Sequence, residues 1–350
     1  MKTEHLTISN NDKIALISNL HTMLAAGIPI LETIDSLHDG SKGSVKKLLE
    51  TLRDDLMQGK HMYNSLAKFP GIFDKVTVNI IKAAEEAGTL DTTLQDLKIT
   101  IKKEMEFSNQ IRSALMYPIF IMLVFVGVLL MILVVVIPKI ASVFSRLQVE
   151  LPLPTKILIF LSNTVLTYTI PLIVGFVVFV VVFLYLYKRH KRVISGILFS
   201  LPLLSTLAKQ IDLTRFSRSF ALLLSAGIPI TSALELAQDV VMKKSVEQAI
   251  AHSKDAVISG KKLSEGFKYA KNIFPNIMIK IIEAGEKSGS LDSSMQEVSD
   301  YLDDQVTNTL KTVTSLLEPI MLVGVGIMVG GMMLSILAPI YGLIGQVGRH

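Results

Sequence analysis

Ala26-Gly27-Ile28-Pro29-Ile30 returns, 200 residues further on, as Ala226-Gly227-Ile228-Pro229-Ile230. Ile80 to Asp91 (IIKAAEEAGTLD) likewise recurs as Ile281 to Asp292 (IIEAGEKSGSLD), with seven of twelve positions identical. Between these blocks Gly59-Lys60 matches Gly260-Lys261, and Phe73 matches Phe274. Beyond them Tyr117-Pro118 aligns with Glu318-Pro319, and Ile137-Pro138 with Ala338-Pro339. A self-similarity held at one period over this length marks a tandem repeat. One copy is a polar domain of about 110 residues followed by an apolar helix.

The charge distribution shows where that apolar helix lies. Charged residues make up 19% of the chain, against the ~25% of an ordinary soluble domain. The deficit falls in three stretches without a single charge: Ser113 to Pro138, Ile157 to Tyr187 and Pro319 to Gly348. Each exceeds the ~20 residues that a helix needs to cross the hydrocarbon core. Half of all residues are hydrophobic and the mean hydropathy is positive, so a wholly soluble enzyme is excluded. The opening MKTEHLTISN has no apolar core and no small-residue cleavage site, and no removed signal peptide is expected. With no cysteine there are no disulfides, thiolate metal sites or cysteine nucleophiles. The net charge of +5 is modest, and no basic stripe suggests a nucleic-acid partner.

Two copies of "domain, then spanning helix" lie the same way round only if one further crossing separates them. Ile157 to Tyr187 supplies it, giving three spans with both domains on one side. Lys188, Arg189, Lys191 and Arg192 directly follow the second span and place that side in the cytoplasm. Lys102, Lys103 and Arg112 agree, whereas Lys139, Arg146 and Lys156 in the outer loop oppose mildly. The expected plan is an all-α membrane protein with two homologous cytoplasmic helical bundles in tandem and three transmembrane helices. Its segments are a first domain (1–112), a first span (113–138), an outer loop and interfacial segment (139–164) and a second span (165–187). A second domain (188–315), a third span (316–340) and a short outer tail (341–350) complete it.

Within each domain the periodicity is helical. Ile14, Ile17, Leu20 and Leu24 share one face of a helix from Asn10 to Ala26. Gly27 suits a left-handed helix end, and Pro29 the first turn of the next helix. Ser44 is the expected cap of a helix over Val45 to Gln58, closed by Gly59. Asp74 to Ala87 is a helix stopped at Gly88, and a long helix runs from Asp91 towards Pro118. Copy two repeats the plan over Phe216–Ala226, Thr231–Val241, Ser245–Ser259 and Asn276–Ser288.

Catalytic patterns are missing. A phosphate loop needs Gly five residues before Gly-Lys, and Asp54 and Asp255 stand there instead. No HExxH and no nucleophile elbow occurs, and the spans contain no ionisable group to serve a protease or proton relay. No catalytic residue, cofactor or metal is expected. The Ala-Gly-Ile-Pro-Ile corners, with Gly27, Pro29, Gly227 and Pro229, read as helix punctuation that could also serve docking. Glu85, Glu86 and Asp91, echoed by Glu286 and Asp292, surround the Gly88 and Gly289 corners; they read as helix-end charges or as a weak divalent-cation site. Gly326 and Gly330 form a GxxxG suited to close helix packing. Pro118 and Pro319, at equivalent span entrances, are expected to kink their helices.

The duplicated AGIPI corner, the two E-x-x-G-x-L-D turns at Glu85–Asp91 and Glu286–Asp292, the stretch from Leu201-Pro202 to Arg218 and the three-span plan carry a resemblance. Over roughly residues 10–345 the chain resembles the F-protein family of bacterial type II secretion and type IV pilus machines, the inner-membrane platforms of GspF/PilC type. Longer members carry several dozen residues ahead of the first repeat, and this chain starts almost at it, as do shorter platforms of some bundle-forming pili and competence systems. The resemblance implies a non-catalytic platform whose cytoplasmic domains engage a hexameric assembly ATPase. Its spans would contact pilin or pseudopilin transmembrane helices, other inner-membrane assembly proteins, the lipid bilayer and further copies of itself. The competing readings are a small transporter or channel subunit, for which the spans offer only marginal Ser, Thr, Asn163 and Gln346, and an intramembrane enzyme.

Overall fold

The computed structural model describes residues 6–147, 153–168, 171, 174 and 202–347, and among them all regular structure is helical. The first repeat folds as α1 (Asn10–Ala25), α2 (Ile30–Asp39), α3 (Gly43–Met57), α4 (Met62–Leu66) and α5 (Lys75–Ala87). It continues into α6 (Leu90–Met131), a π-helical turn (Ile132–Val136) and α7 (Ile137–Leu147). After α8 (Leu153–Thr167), the second repeat follows as α9 (Pro202–Ser225), α10 (Ile230–Gln238), α11 (Lys244–Ile258), α12 (Leu263–Lys268), α13 (Asn276–Ser288) and α14 (Leu291–Val347). Six helices of one copy thus answer six of the other.

Local chemistry sets most boundaries. The Ser9 hydroxyl caps α1 by accepting the Asp12 N–H at 3.1 Å, and the Asp74 carboxylate caps α5 by accepting the Thr77 N–H at 2.8 Å. Two expectations shift by a residue. Ser44 caps nothing: α3 already begins at Gly43, preceded by Lys42 in an extended conformation. Pro29 and Pro229 are the N-caps of α2 and α10 rather than first-turn residues, because their ψ of 145° and 142° is extended. The first helix of copy two also starts well before Phe216, at Pro202, since no breaker intervenes.

The chain forms two compact units, residues 1–110 with 195–308 and residues 111–194 with 309–350. The first unit holds both helical repeats around one continuous apolar core. Leu48, Leu49, Leu52, Phe69 and Ile80 contribute from the first copy, and Phe216, Phe220, Ile250, Phe267 and Phe274 from the second. Each such side chain removed from water contributes ~1.5–3 kcal/mol, so the repeats are joined by burial and not merely tethered.

In the second unit, the described part of 139–164, expected as an outer loop and interfacial segment, is helical. α7 and α8 form a hairpin against the π-helical turn, and the buried Ser162 hydroxyl donates to the Leu133 carbonyl at 2.6 Å. A π turn displaces a carbonyl from the α ladder, and Ser162 provides a partner there. Among the described residues two helices are long and apolar enough to cross a membrane, Leu90–Ser142 and Leu291–Gly331. The expected second span over 165–187 lies, from residue 169, outside the described residues except for 171 and 174.

Candidate functional site

Each repeat turns three corners at matching glycines: Gly27, Gly59 and Gly88, then Gly227, Gly260 and Gly289. All six have φ between 70° and 82°, where a side chain would be strained. At each corner the N–H after the glycine donates to a carbonyl five residues back, closing the helix end. Ile28 reaches Met23 at 3.0 Å, Ile228 reaches Leu223 at 3.1 Å, and Thr89 and Ser290 reach Ala84 and Gly285 at 2.9 and 3.0 Å. Ile30 and Ile228 of the two Ala-Gly-Ile-Pro-Ile corners pack against the core.

Beside the third corner sits a duplicated carboxylate. Glu85 accepts the N–H groups of Met62 and Tyr63 at 3.0 and 3.2 Å. Glu286 accepts those of Leu263 at 2.5 Å and Ser264 at 3.3 Å, together with the Ser264 hydroxyl. These acids therefore satisfy the otherwise orphaned first N–H groups of α4 and α12 and are not merely solvated helix-end charges. Their 23-residue reach hides this role from local capping rules. Among the described residues no group of three or more His, Asp or Glu side chains is placed to hold a metal ion.

A buried carboxylate in the first repeat organises the α3–α4 corner. Asp55 accepts from Lys60 Nζ and Ser65 Oγ, each at 2.8 Å, and from Lys68 Nζ. Burial pushes the Asp55 carboxyl up, but the bonds from Lys60, Lys68 and Ser65 and the charge of Lys68 prevail, holding it well below the usual carboxylate range. In the second repeat Ala256 takes the matching place, so the device belongs to one copy only.

The two repeats meet through a polar cluster. Arg218 on α9 donates through Nη1 to Glu104 Oε2 on α6 at 2.9 Å and through Nη2 to Asp303 Oδ2 on α14 at 3.2 Å. Arg215 Nε adds a bond to Glu104 Oε1 at 2.9 Å. The Arg218 side chain is 3% exposed, and its guanidinium lies 5.3 Å from the centre of the buried Phe107 ring, a cation–π contact. Burial raises the Asp303 carboxyl pKa; Arg218 opposes that rise, while Asp300, Asp304 and Glu104 reinforce it. Exposed bonds join the same α6 and α14 helices, Lys103 to Asp300 at 2.9 Å and Gln110 to Thr307 at 2.8 Å, and elsewhere Lys75 bridges to Asp239 at 2.8 Å.

Of the expected span residues, Pro118 lies inside α6 and Pro319 inside α14, and both helices continue through them. A Cβ at Gly326 or Gly330 would meet nothing within 4 Å. The structure thus gathers Gly27, Pro29, Gly88 and their second-copy counterparts Gly227, Pro229 and Gly289 at helix corners. It does not bring Gly326 or Gly330 against a described neighbour.

The family described as type II secretion system (T2SS), protein F, matches residues 16–138 and 216–339, one segment in each repeat. A type IV pilus assembly protein PilC of Thermus thermophilus is 30% identical over 331 residues, covering 94% of this chain and 81% of its own length. The PilC protein of Myxococcus xanthus is 27% identical over 343 residues, covering 97% of this chain and 82% of its own. A type II secretion system protein F of Vibrio cholerae is 26% identical over 350 residues, covering 98% and 85%. With both repeats matched and that identity maintained over nearly the whole chain, this protein belongs to the type II secretion system protein F family.

Proposed function

We propose that this chain is a non-catalytic inner-membrane platform of a type IV pilus or type II secretion machine. It couples a cytoplasmic assembly ATPase to the extraction and polymerisation of pilin or pseudopilin subunits. The observation that carries this reading is the family match in both repeats, each of which passes from a polar bundle into an apolar helix. Relatives named for pilus assembly and for type II secretion leave both machines as candidates.

The proposed topology has three spans, with both bundles cytoplasmic. The bond from Ser162 to Leu133 supports a second crossing that begins near Ile157, earlier than 165. Lys139 and Lys156 each lie six residues from that bond, on the two arms of the hairpin. At 1.5 Å per residue both ammonium-bearing positions are ~9 Å from it along the helices, a common level suited to a membrane boundary. Gly27 and Gly227, Pro29 and Pro229, and Gly88 and Gly289 keep the bundles in shape. Pro118 and Pro319 bend the span entrances, and Gly326 and Gly330 offer a helix-packing face to another chain.

The test is genetic and biochemical. Deleting the gene should abolish surface fibres or secretion, and a plasmid copy should restore them; fibres or secretion undiminished by deletion would sink the reading. The purified chain should not hydrolyse ATP by itself but should change the rate of its cognate motor. Reporter fusions near residues 60 and 260 should both report cytoplasm and one near 148 the opposite side. Opposite answers at 60 and 260 would end the three-span plan.

A further inference from the structure

A guanidinium removed from water carries a desolvation cost that only well-placed partners offset. Arg218 meets it with two carboxylates from different repeats, Glu104 of α6 and Asp303 of α14. Arg215 balances the second negative charge. The cluster is nevertheless incompletely satisfied: Arg218 Nε and Asp303 Oδ1 are buried and take no hydrogen bond among the described residues. Such a cluster is a poor stabiliser, because neutral side chains of similar shape often do as well or better. It does define one arrangement of the three helices that supply it.

Around Arg218 the helices α6 and α14 are bridged in constant register. Lys103 meets Asp300 and Gln110 meets Thr307, each pair 197 residues apart. The two bridges are seven residues apart on both helices, about two turns, so the helices run in the same direction there without slipping. Both bridges are exposed: salt screens the Lys103–Asp300 pair and water competes for the neutral Gln110–Thr307 bond, whereas the Arg218 pairs, whose guanidinium is buried, are screened much less. Phe107, Leu302, Val306 and Leu310 are buried along the same stretches. Both helices then continue into segments apolar enough to cross a membrane.

The geometry points to Arg218 as a coupling clamp. It holds the cytoplasmic stalks of α6 and α14 as one member, so that a displacement of either repeat is delivered to both membrane-directed helices together. The functional half of this inference rests on the platform reading above.

The absence of cysteine makes the test clean, because Gln110→Cys and Thr307→Cys introduce the only thiols. In membranes holding the full chain, a short bis-methanethiosulfonate reagent joins them and a reductant releases them. Combining Arg218→Met, Glu104→Gln and Asp303→Asn should slow this crosslinking at least fivefold while the chain accumulates normally. In cells the same neutralised chain should lose at least tenfold in fibre assembly. Crosslinking should restore assembly, and reduction should remove it again. Should the triple variant not accumulate, Asp303→Ala alone, which removes the α14 acceptor and leaves Glu104 paired, is read in the same way. An unchanged crosslinking rate, normal assembly by the neutralised chain, or failure of the crosslink to restore it would each overturn the clamp. So would a crosslink that blocks assembly with Arg218 intact, since the stalks would then have to part. Fibres that form without the chain would refute the platform reading instead, and the crosslinking rate would still judge the clamp.

Discussion

Replacing Glu286 by alanine tests the duplicated carboxylate cap. Its acceptor oxygens hold the N–H groups of Leu263 and Ser264, and both residues are 2% exposed, so water does not readily take over. A hydrogen bond to a charged group contributes ~1.5–3 kcal/mol, and a buried donor left unpaired costs ~1–3 kcal/mol. The two bonds share one carboxylate, and the space left by the half-buried side chain admits some solvent, so the losses do not simply add. A local cost of ~2–4 kcal/mol for opening α12 is expected, or roughly 30- to 900-fold faster amide exchange. Hydrogen exchange on the full chain in detergent micelles, read on peptides covering Leu263 to Lys268, measures this. Peptides of the first repeat serve as the reference. Glu85→Ala should loosen Met62–Leu66 in the same way, and Glu286→Gln, which keeps one acceptor oxygen, should fall between. Exchange of the α12 peptides within threefold of the unaltered chain would refute the capping role.

Three further outcomes follow from other sites. Gly285→Ala would place a methyl 2.3 Å from Ser294 Oγ and 2.6 Å from Ser294 Cβ. Overpacking of ~1–3 kcal/mol should outweigh a helix-propensity gain of at most ~1 kcal/mol, and an unchanged or raised melting temperature would contradict it. Asp55 has a folded-state pKa below its unfolded one, so its contribution is complete above the unfolded value of ~3.9 and is lost as pH falls below that. Asp55→Asn should therefore flatten the acid limb of a stability profile taken from pH 7 to 3, and an identical limb would exclude the role. Gly330→Leu should insert normally, since leucine is favoured in lipid by ~0.3–0.6 kcal/mol, yet impair assembly by adding bulk to a helix-packing face. Gly330→Ala should be milder, and full activity of the leucine variant at normal membrane levels would mean an ordinary lipid-facing position.

The parts of the fold legible in the sequence are those written in a few adjacent residues. A glycine with positive φ marks a corner by itself, so Gly27, Gly88, Gly227 and Gly289 were readable, and α13 spans Asn276–Ser288 as expected. Features made by distant residues were not. Glu85 reads locally as a helix-end charge, because the amides it holds are 22 and 23 residues away. The Arg218 cluster joins residues 85 and 114 positions apart. Self-comparison could not expose it either, since Ser18, Gln305 and Lys102 stand where the other copy has Arg218, Glu104 and Asp303. From the residues alone, 139–164 reads as an outer loop and interfacial segment, whereas its described residues form α7 and α8, with Ser162 bonded to the Leu133 carbonyl 29 positions away.

The cluster between the repeats also has a consequence for synthesis. Glu104 leaves the ribosome 114 residues before the arginine that neutralises it, with the first apolar span and the whole α7–α8 hairpin made in between. At bacterial rates of about 5–20 residues per second, the carboxylate and the neighbouring Phe107 ring wait roughly 6–23 s without their guanidinium. During that interval the first bundle is complete and its stalk already leads into the bilayer, while the face reserved for the second bundle stays open to water and to other chains. Nascent platforms in crowded membranes are thus most exposed to mispairing with one another between the translation of Glu104 and that of Arg218.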